Sequence, residues 1–196
     1  MIIIDVEASG TEPWVHSIVS LGALDYNNPT NRFYEECHIW DGAHVMPDAL
    51  AVNGFTDEQV RDSSKQSEAD LYHRFLEWSE SVEERTFVGQ NVSFDRDFVK
   101  LASERAGHSK WPFAFRTIDT HTLAYMHMIN RGLTPPVSKN RSALNLDAIL
   151  KYCGIPEEPH PHNAFTGALC HAEVTSRLLY NRKLLPEFDQ YPIFWK

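Results

Sequence analysis

The sequence predicts an α/β domain whose sheet opens as a three-stranded antiparallel meander and continues in parallel strands, and three observations lead there. The chain begins with an apolar run, Ile2-Ile3-Ile4, that carries into Asp5-Val6-Glu7 and breaks at Ala8-Ser9-Gly10, which reads as a buried central strand. Two strand-like stretches follow it, joined through turn-forming residues. Helical stretches then lead into a short apolar run, Thr86-Phe87-Val88-Gly89, which the right-handed crossover preference sets parallel to the first strand.

Side chains alternate along a strand, so Asp5 and Glu7 share a face while Val6 points to the other. Two carboxylates held that close in a half-buried place repel by several kcal/mol unless a proton or cation sits between them, and a divalent metal is the usual solution. The plain alternative ends the strand at Asp5 and leaves Glu7 in solvent. The second and third strands are expected over 17–24 and 32–40, joined through Asn27-Asn28-Pro29-Thr30-Asn31 as a hairpin. Pro47 opens a short helix through Ala49 and Leu50. Thr56 and Gln59 fit a capping box, and a helix starting near Ser67 sets Leu71, Phe75, Trp78 and Val82 along one face.

Val88-Gly89-Gln90-Asn91-Val92-Ser93-Phe94-Asp95 runs from the parallel strand into a helix whose expected core face carries Phe94, Phe98 and Leu101. Asp95 falls in its first turn, where an acid also suits the helix dipole. Arg116-Thr117-Ile118-Asp119-Thr120 leads from another short strand into a helix through Ala124 and Met128. Pro135-Pro136 marks a loop, residues 144–150 are amphipathic, and Gly154 stops that helix. No internal repeat interrupts the chain, and the expected organisation is a domain over 1–184 with an aromatic tail, 185–196, packed back on it.

Composition narrows the class. With 42% hydrophobic and 12% aromatic residues among 196, the chain can bury a full core. Cys37, Cys153 and Cys170 are too few and scattered for a disulfide framework, and Met1-Ile2-Ile3-Ile4 meets an acid at once instead of continuing as a signal segment. No apolar run is long enough to span a bilayer, so a cytoplasmic protein without membrane contact is expected. The net charge of −9 argues against a tight, sequence-independent grip on long duplex DNA, but does not exclude an enzyme that handles only a strand end. Cys37-His38 and Cys170-His171 lack the paired spacing of a closed zinc site.

Asp5-Val6-Glu7-Ala8-Ser9-Gly10 resembles the first motif, D-x-E-[TA]-[TS]-G, of the DEDD 3′-5′ exonucleases, which have a ribonuclease H-like fold. Gln90-Asn91-Val92-Ser93-Phe94-Asp95 resembles their second, with Gln90 in the usual histidine place. Val52-Asn53-Gly54-Phe55-Thr56 and Ile118-Asp119-Thr120 with Leu144-Asn145-Leu146-Asp147 are weaker echoes. His162-Asn163-Ala164, followed by a helix with Ala172-Glu173-Val174, resembles the ending of the histidine (DEDDh) subclass. Over about residues 1–180 the resemblance implies a mixed five-stranded sheet flanked by helices. It also implies two divalent ions, Mg²⁺ or Mn²⁺, about 4 Å apart on Asp5, Glu7 and Asp95, one activating water and one stabilising the leaving oxygen. His162 would be the base. Ala8, Ser9, Gly10, Asn53, Phe55 and Asn91 would lie near the terminal nucleotide of an RNA or DNA 3′ end, since an unstacked base packs well on an aromatic ring.

The chain departs from the family at one ligand. The acid expected five residues after the histidine is Gly167. His171, four residues on and on the same helical face, could contribute a nitrogen that suits Mn²⁺ better than Mg²⁺, or be a surface histidine. Weakened activity, better in Mn²⁺, is the expectation. Two other readings stand beside it: a silent module that binds nucleic-acid ends or a protein partner, and a polymerase-associated proofreading subunit.

Overall fold

The computed structural model describes residues 1–195. Its sheet is built from β1 (Ile2–Ala8), β2 (Ile18–Asp25), β3 (Asn28–Glu36), β4 (Phe87–Gly89) and β5 (Ile118–Asp119) in the order β3-β2-β1-β4-β5. β1, β2 and β3 pair antiparallel, and β4 and β5 are parallel to β1. This is the mixed five-stranded sheet expected of the chain. The helices are α1 (Pro47–Asn53), α2 (Asp57–Arg61), α3 (Glu68–Ser79), α4 (Ser93–Arg105), α5 (Thr120–Asn130), α6 (Leu146–Tyr152) and α7 (Ala164–Tyr180).

The alternation along β1 decides which helices cover which face. Ile2, Ile4, Val6 and Ala8 pack with Leu71 and Phe75 of α3 and Phe98 and Val99 of α4. Ile3 packs with Leu169 and Ala172 of α7 on the other side. Asp5 and Glu7 continue the row of Ile3, toward α7. That helix can lie this close because Gly22 of β2 has no side chain: a Cβ there would stand 2.1 Å from the Ala164 carbonyl oxygen. Asn163 caps α7, its Oδ1 accepting from the Phe165 and Thr166 amides at 2.9 and 3.4 Å.

Several boundaries differ from the sequence reading. The hairpin loop is only Tyr26-Asn27, and Pro29 lies inside β3. An edge strand tolerates proline because its outer amides need no ladder partner, and Asp25 Oδ1 tightens the turn by accepting from the Asn27 amide at 2.9 Å. β3 stops at Glu36, after which His38 bridges Ser67. α3 ends at Ser79, so Val82 is buried beyond the helix and not on it. In α4 the buried residues are Asp95, Phe98, Val99, Ala102 and Ser103, while Phe94 and Leu101 are only half-buried. A small hairpin, β6 (Val137–Ser138) with β7 (Arg141–Ser142), follows the Pro-Pro loop, turning through Lys139 and Asn140 at positive φ. The tail is held by Arg177, whose guanidinium donates to the Pro192, Phe188 and Tyr191 carbonyls, and Trp195 stacks on Tyr152 at 5.1 Å. Among the described residues no helix is long and apolar enough to cross a membrane.

Candidate active site

Asp5, Glu7 and Asp95 meet at the end of β1 in an open cavity of about 230 Å³, lined also by Gln90, Asn91, Phe94, Leu146, Glu158, His162 and His171. Three local features deliver them. β1 brings two acids to one face. The chain leaves β4 through Asn91 at φ 50°, so α4 starts with Asp95 in its first turn. Gln90 bolts that corner down, donating from Nε2 to the Leu144 carbonyl at 3.0 Å and accepting from Thr120 Oγ1 at 3.0 Å. The segment before α7 swings His162 across, its amide donating to the Val52 carbonyl at 3.0 Å.

The electrostatics are those of uncompensated acids. The Glu7 carboxyl is pushed up to about 8, first by burial and then by the charges of Asp5 and Glu158. Asp95 is raised well above the ordinary carboxylate range, again by burial first and then by Asp5. Glu158 is raised by burial and by Asp5, against the opposing hydrogen bond from Thr166. Among the described residues no lysine or arginine pairs with any of these four acids. Asp5 instead leans on α7, with Oδ1 3.4 Å from His171 Nε2. The other nitrogen of His171, Nδ1, is buried without a hydrogen-bond partner.

This donor set fits a divalent cation: hard carboxylate oxygens in excess, two imidazoles, and an excess of acids in a half-buried cleft. The acids do not stand preassembled as a cage, since among the described residues no three His, Cys, Asp or Glu side chains are grouped closely enough to hold an ion.

Of the residues expected at the terminal nucleotide, Asn91 lines the cavity and the others do not. Ser9 is fully buried, its Oγ donating to the His44 carbonyl and accepting from the Ser17 amide. Gly10 packs against His16, where a Cβ would come within 2.1 Å of the ring. Asn53 is spent on the loop, with Nδ2 donating to the Ala8 carbonyl at 3.1 Å and Oδ1 accepting from the Phe55 amide at 3.2 Å. Phe55 lines a neighbouring groove with Val45, Pro47 and Leu50, and Lys65 Nζ stands 4.9 Å from its ring centroid. Glu173 lies away from the cavity in a buried ion pair with Arg177.

Sequence reasoning missed Glu158. Its signal was an acid four residues ahead of His162, in a chain with glycine at position 167. Gly167 is also not an open place. A Cβ built there would stand 2.2 Å from Asp5 Oδ2, so the Asp5 carboxylate occupies the room a side chain would need.

The RNase_T family model, described as Exonuclease, matches residues 2–175. Ribonuclease T of Actinobacillus pleuropneumoniae is 28% identical over 137 residues, 63% of this chain and 62% of its own. The chain thus spans less than two thirds of the length of that relative. Among solved structures, E. coli exonuclease I in complex with a dA16 oligonucleotide superposes with a TM-score of 0.72 at 20% identity, covering 92% of this chain and 40% of that one. The nuclease domain of 3′hExo, a DEDDh family member bound to rAMP, does so with a TM-score of 0.69 at 17% identity, covering 94% and 93%. The two superpositions show the ribonuclease H-like exonuclease fold.

Proposed function

We propose that this chain, which belongs to the Exonuclease family, hydrolyses phosphodiester bonds stepwise from the 3′ end of single-stranded or frayed nucleic acid and releases nucleoside 5′-monophosphates. The observation that carries the reading is the convergence of Asp5, Glu7, Asp95 and His162 on one open cavity, with no lysine or arginine paired to the acids among the described residues. Asp5, Glu7 and Asp95 would hold two divalent ions, Mg²⁺ or Mn²⁺. Bound there, the ions supply a water of lowered pKa and neutralise charge on the leaving 3′-oxygen. His162, about a third exposed at the cavity mouth, would accept the water's proton, which requires a neutral imidazole and therefore activity that fails at acid pH. The half-buried ring of Phe94 offers an unstacked base a surface to pack on, and Asn91 a polar contact to its sugar.

Gly167 bears on the level of activity. A site relying on Asp5, Glu7 and Asp95 alone would lack its fourth acid, and even the loss of a residue that only orients metal ligands costs roughly 10 to 100-fold. His171 would then be a nitrogen donor that favours Mn²⁺ over Mg²⁺. The oligonucleotide on exonuclease I is DNA and the nucleotide on 3′hExo is a ribonucleotide, so both sugars enter the test. Matched 5′-labelled RNA and DNA oligonucleotides, with free and blocked 3′ ends, should shorten one nucleotide at a time only when the end is free. Internal cuts, or equal cutting of blocked ends, would overturn the reading.

A further inference from the structure

Glu158 is buried, at 4% exposure, in a stretch that is otherwise polar, proline-rich and on the surface. Its two oxygens have different surroundings. Oε1 accepts from Thr166 Oγ1 at 2.9 Å and from the Asn163 amide at 3.4 Å, which ties it to the first turn of α7. Oε2 has no donor within hydrogen-bond reach; its nearest polar neighbour is His162 Nδ1 at 3.9 Å, too long for a hydrogen bond. The carboxylate is thus held by one oxygen, and the residue lines the same open cavity as Asp5, Glu7 and Asp95, where a cation would meet all four acids. His171, 2% exposed on the wall of the same cavity, turns Nε2 toward this group, 3.4 Å from Asp5 Oδ1. Thr166, the anchor of Glu158, is the residue just before Gly167, and Asp5 fills the room beside Gly167.

We infer that Glu158, reaching in from the loop ahead of α7, is the fourth metal-binding carboxylate of this site, in place of the acid that α7 lacks at Gly167. The inference rests on the exonuclease reading, because it assigns a ligand within the same metal site. A carboxylate delivered from the loop brings the negative charge that Gly167 omits, and its oxygen is as hard a donor as aspartate's.

The test is Mn²⁺ affinity, read from the electron paramagnetic resonance signal of free Mn²⁺, in the parent, Glu158→Gln and Asp95→Asn. Glutamine keeps an acceptor for Thr166 and Asn163 and removes only the charge, so the fold should persist. The expected result is at least about a tenfold loss of Mn²⁺ affinity in Glu158→Gln, with hydrolysis falling in parallel. Glu158→Asp keeps the charge and withdraws it by one methylene, and it should show the same direction of loss if the amide variant does not fold. Should Glu158→Gln bind Mn²⁺ as the parent does while Asp95→Asn does not, Glu158 is no ligand and the exonuclease reading stands without it. A parent that binds no Mn²⁺ defeats both.

Discussion

The two ends of α7 treat buried charge in opposite ways. Toward its C-terminal end, Glu173 and Arg177 are both fully buried, and every strong group on them is used. Arg177 Nε donates to Glu173 Oε1 at 2.7 Å, its remaining nitrogens donate to the carbonyls of Cys153, Pro192, Phe188 and Tyr191, and Glu173 Oε2 accepts from the Leu184 and Leu185 amides. Near its N-terminal end, Asp5, Glu7, Asp95 and Glu158 line one cavity with His162 and His171. The chain neutralises a buried acid where the fold needs it, and among the described residues it sets no lysine or arginine beside the acids of the proposed metal site. One end holds the structure together. The other gathers carboxyls at the proposed metal site.

The largest effect should come from breaking the satisfied end. Arg177→Ala leaves Glu173 buried and unpaired and frees the tail, which should cost about 3 to 5 kcal/mol and lower the melting temperature by about 10 °C in thermal unfolding. A variant within about 1 kcal/mol of the parent would remove one side of the contrast. At the other end the sign reverses. Asp95→Asn should cut hydrolysis more than about 100-fold while leaving metal-free stability equal to the parent's or higher, because it relieves repulsion instead of orphaning a partner. Chemical denaturation in a chelator checks this, and clear destabilisation would mean that Asp95 serves packing.

The pH dependence of the metal-free protein sharpens the same contrast. With Glu7 raised from 4.5 to about 8, the folded state keeps a proton that the unfolded chain has already lost across that interval. Stability due to Glu7 is therefore present at the acid end of the window and is lost as pH rises through about 8. Urea midpoints in chelator at about pH 5.5 and about pH 8.5 should fall with pH in the parent and fall less in Glu7→Gln. Equal slopes would place Glu7 in solvent. The smallest effect is expected at Gly167. A missing ligand predicts about a 100-fold gain in Mg²⁺-supported turnover for Gly167→Asp, whereas with Asp5 in that space and Glu158 carrying the charge the change should stay under about tenfold.

Much of this was legible in the sequence because it follows local rules. The acids on β1 declared themselves through strand alternation, the capping box at Thr56 and Gln59 through its spacing, and the parallel strand through crossover handedness. What escaped depends on placement across the fold. Pro29 looked like a turn residue because edge position cannot be read from one strand. Asn53 carries a group that could face a ligand, and only the tertiary fold shows its amide spent on the Ala8 carbonyl. Glu158 lies outside every motif, yet the loop before α7 folds it back among the acids. Motif spacing also marks Gly167 as a gap, while Asp5, facing it from β1, fills that space.

Calorimetric titration of the chelator-treated parent with Mn²⁺ near pH 7, run in two buffers of different ionisation enthalpy, tests the central claim most directly. Saturable binding of two ions is expected, with protons released on binding because Glu7 is protonated in the metal-free protein at that pH. A flat titration, or binding of the same strength in Asp95→Asn, would contradict it.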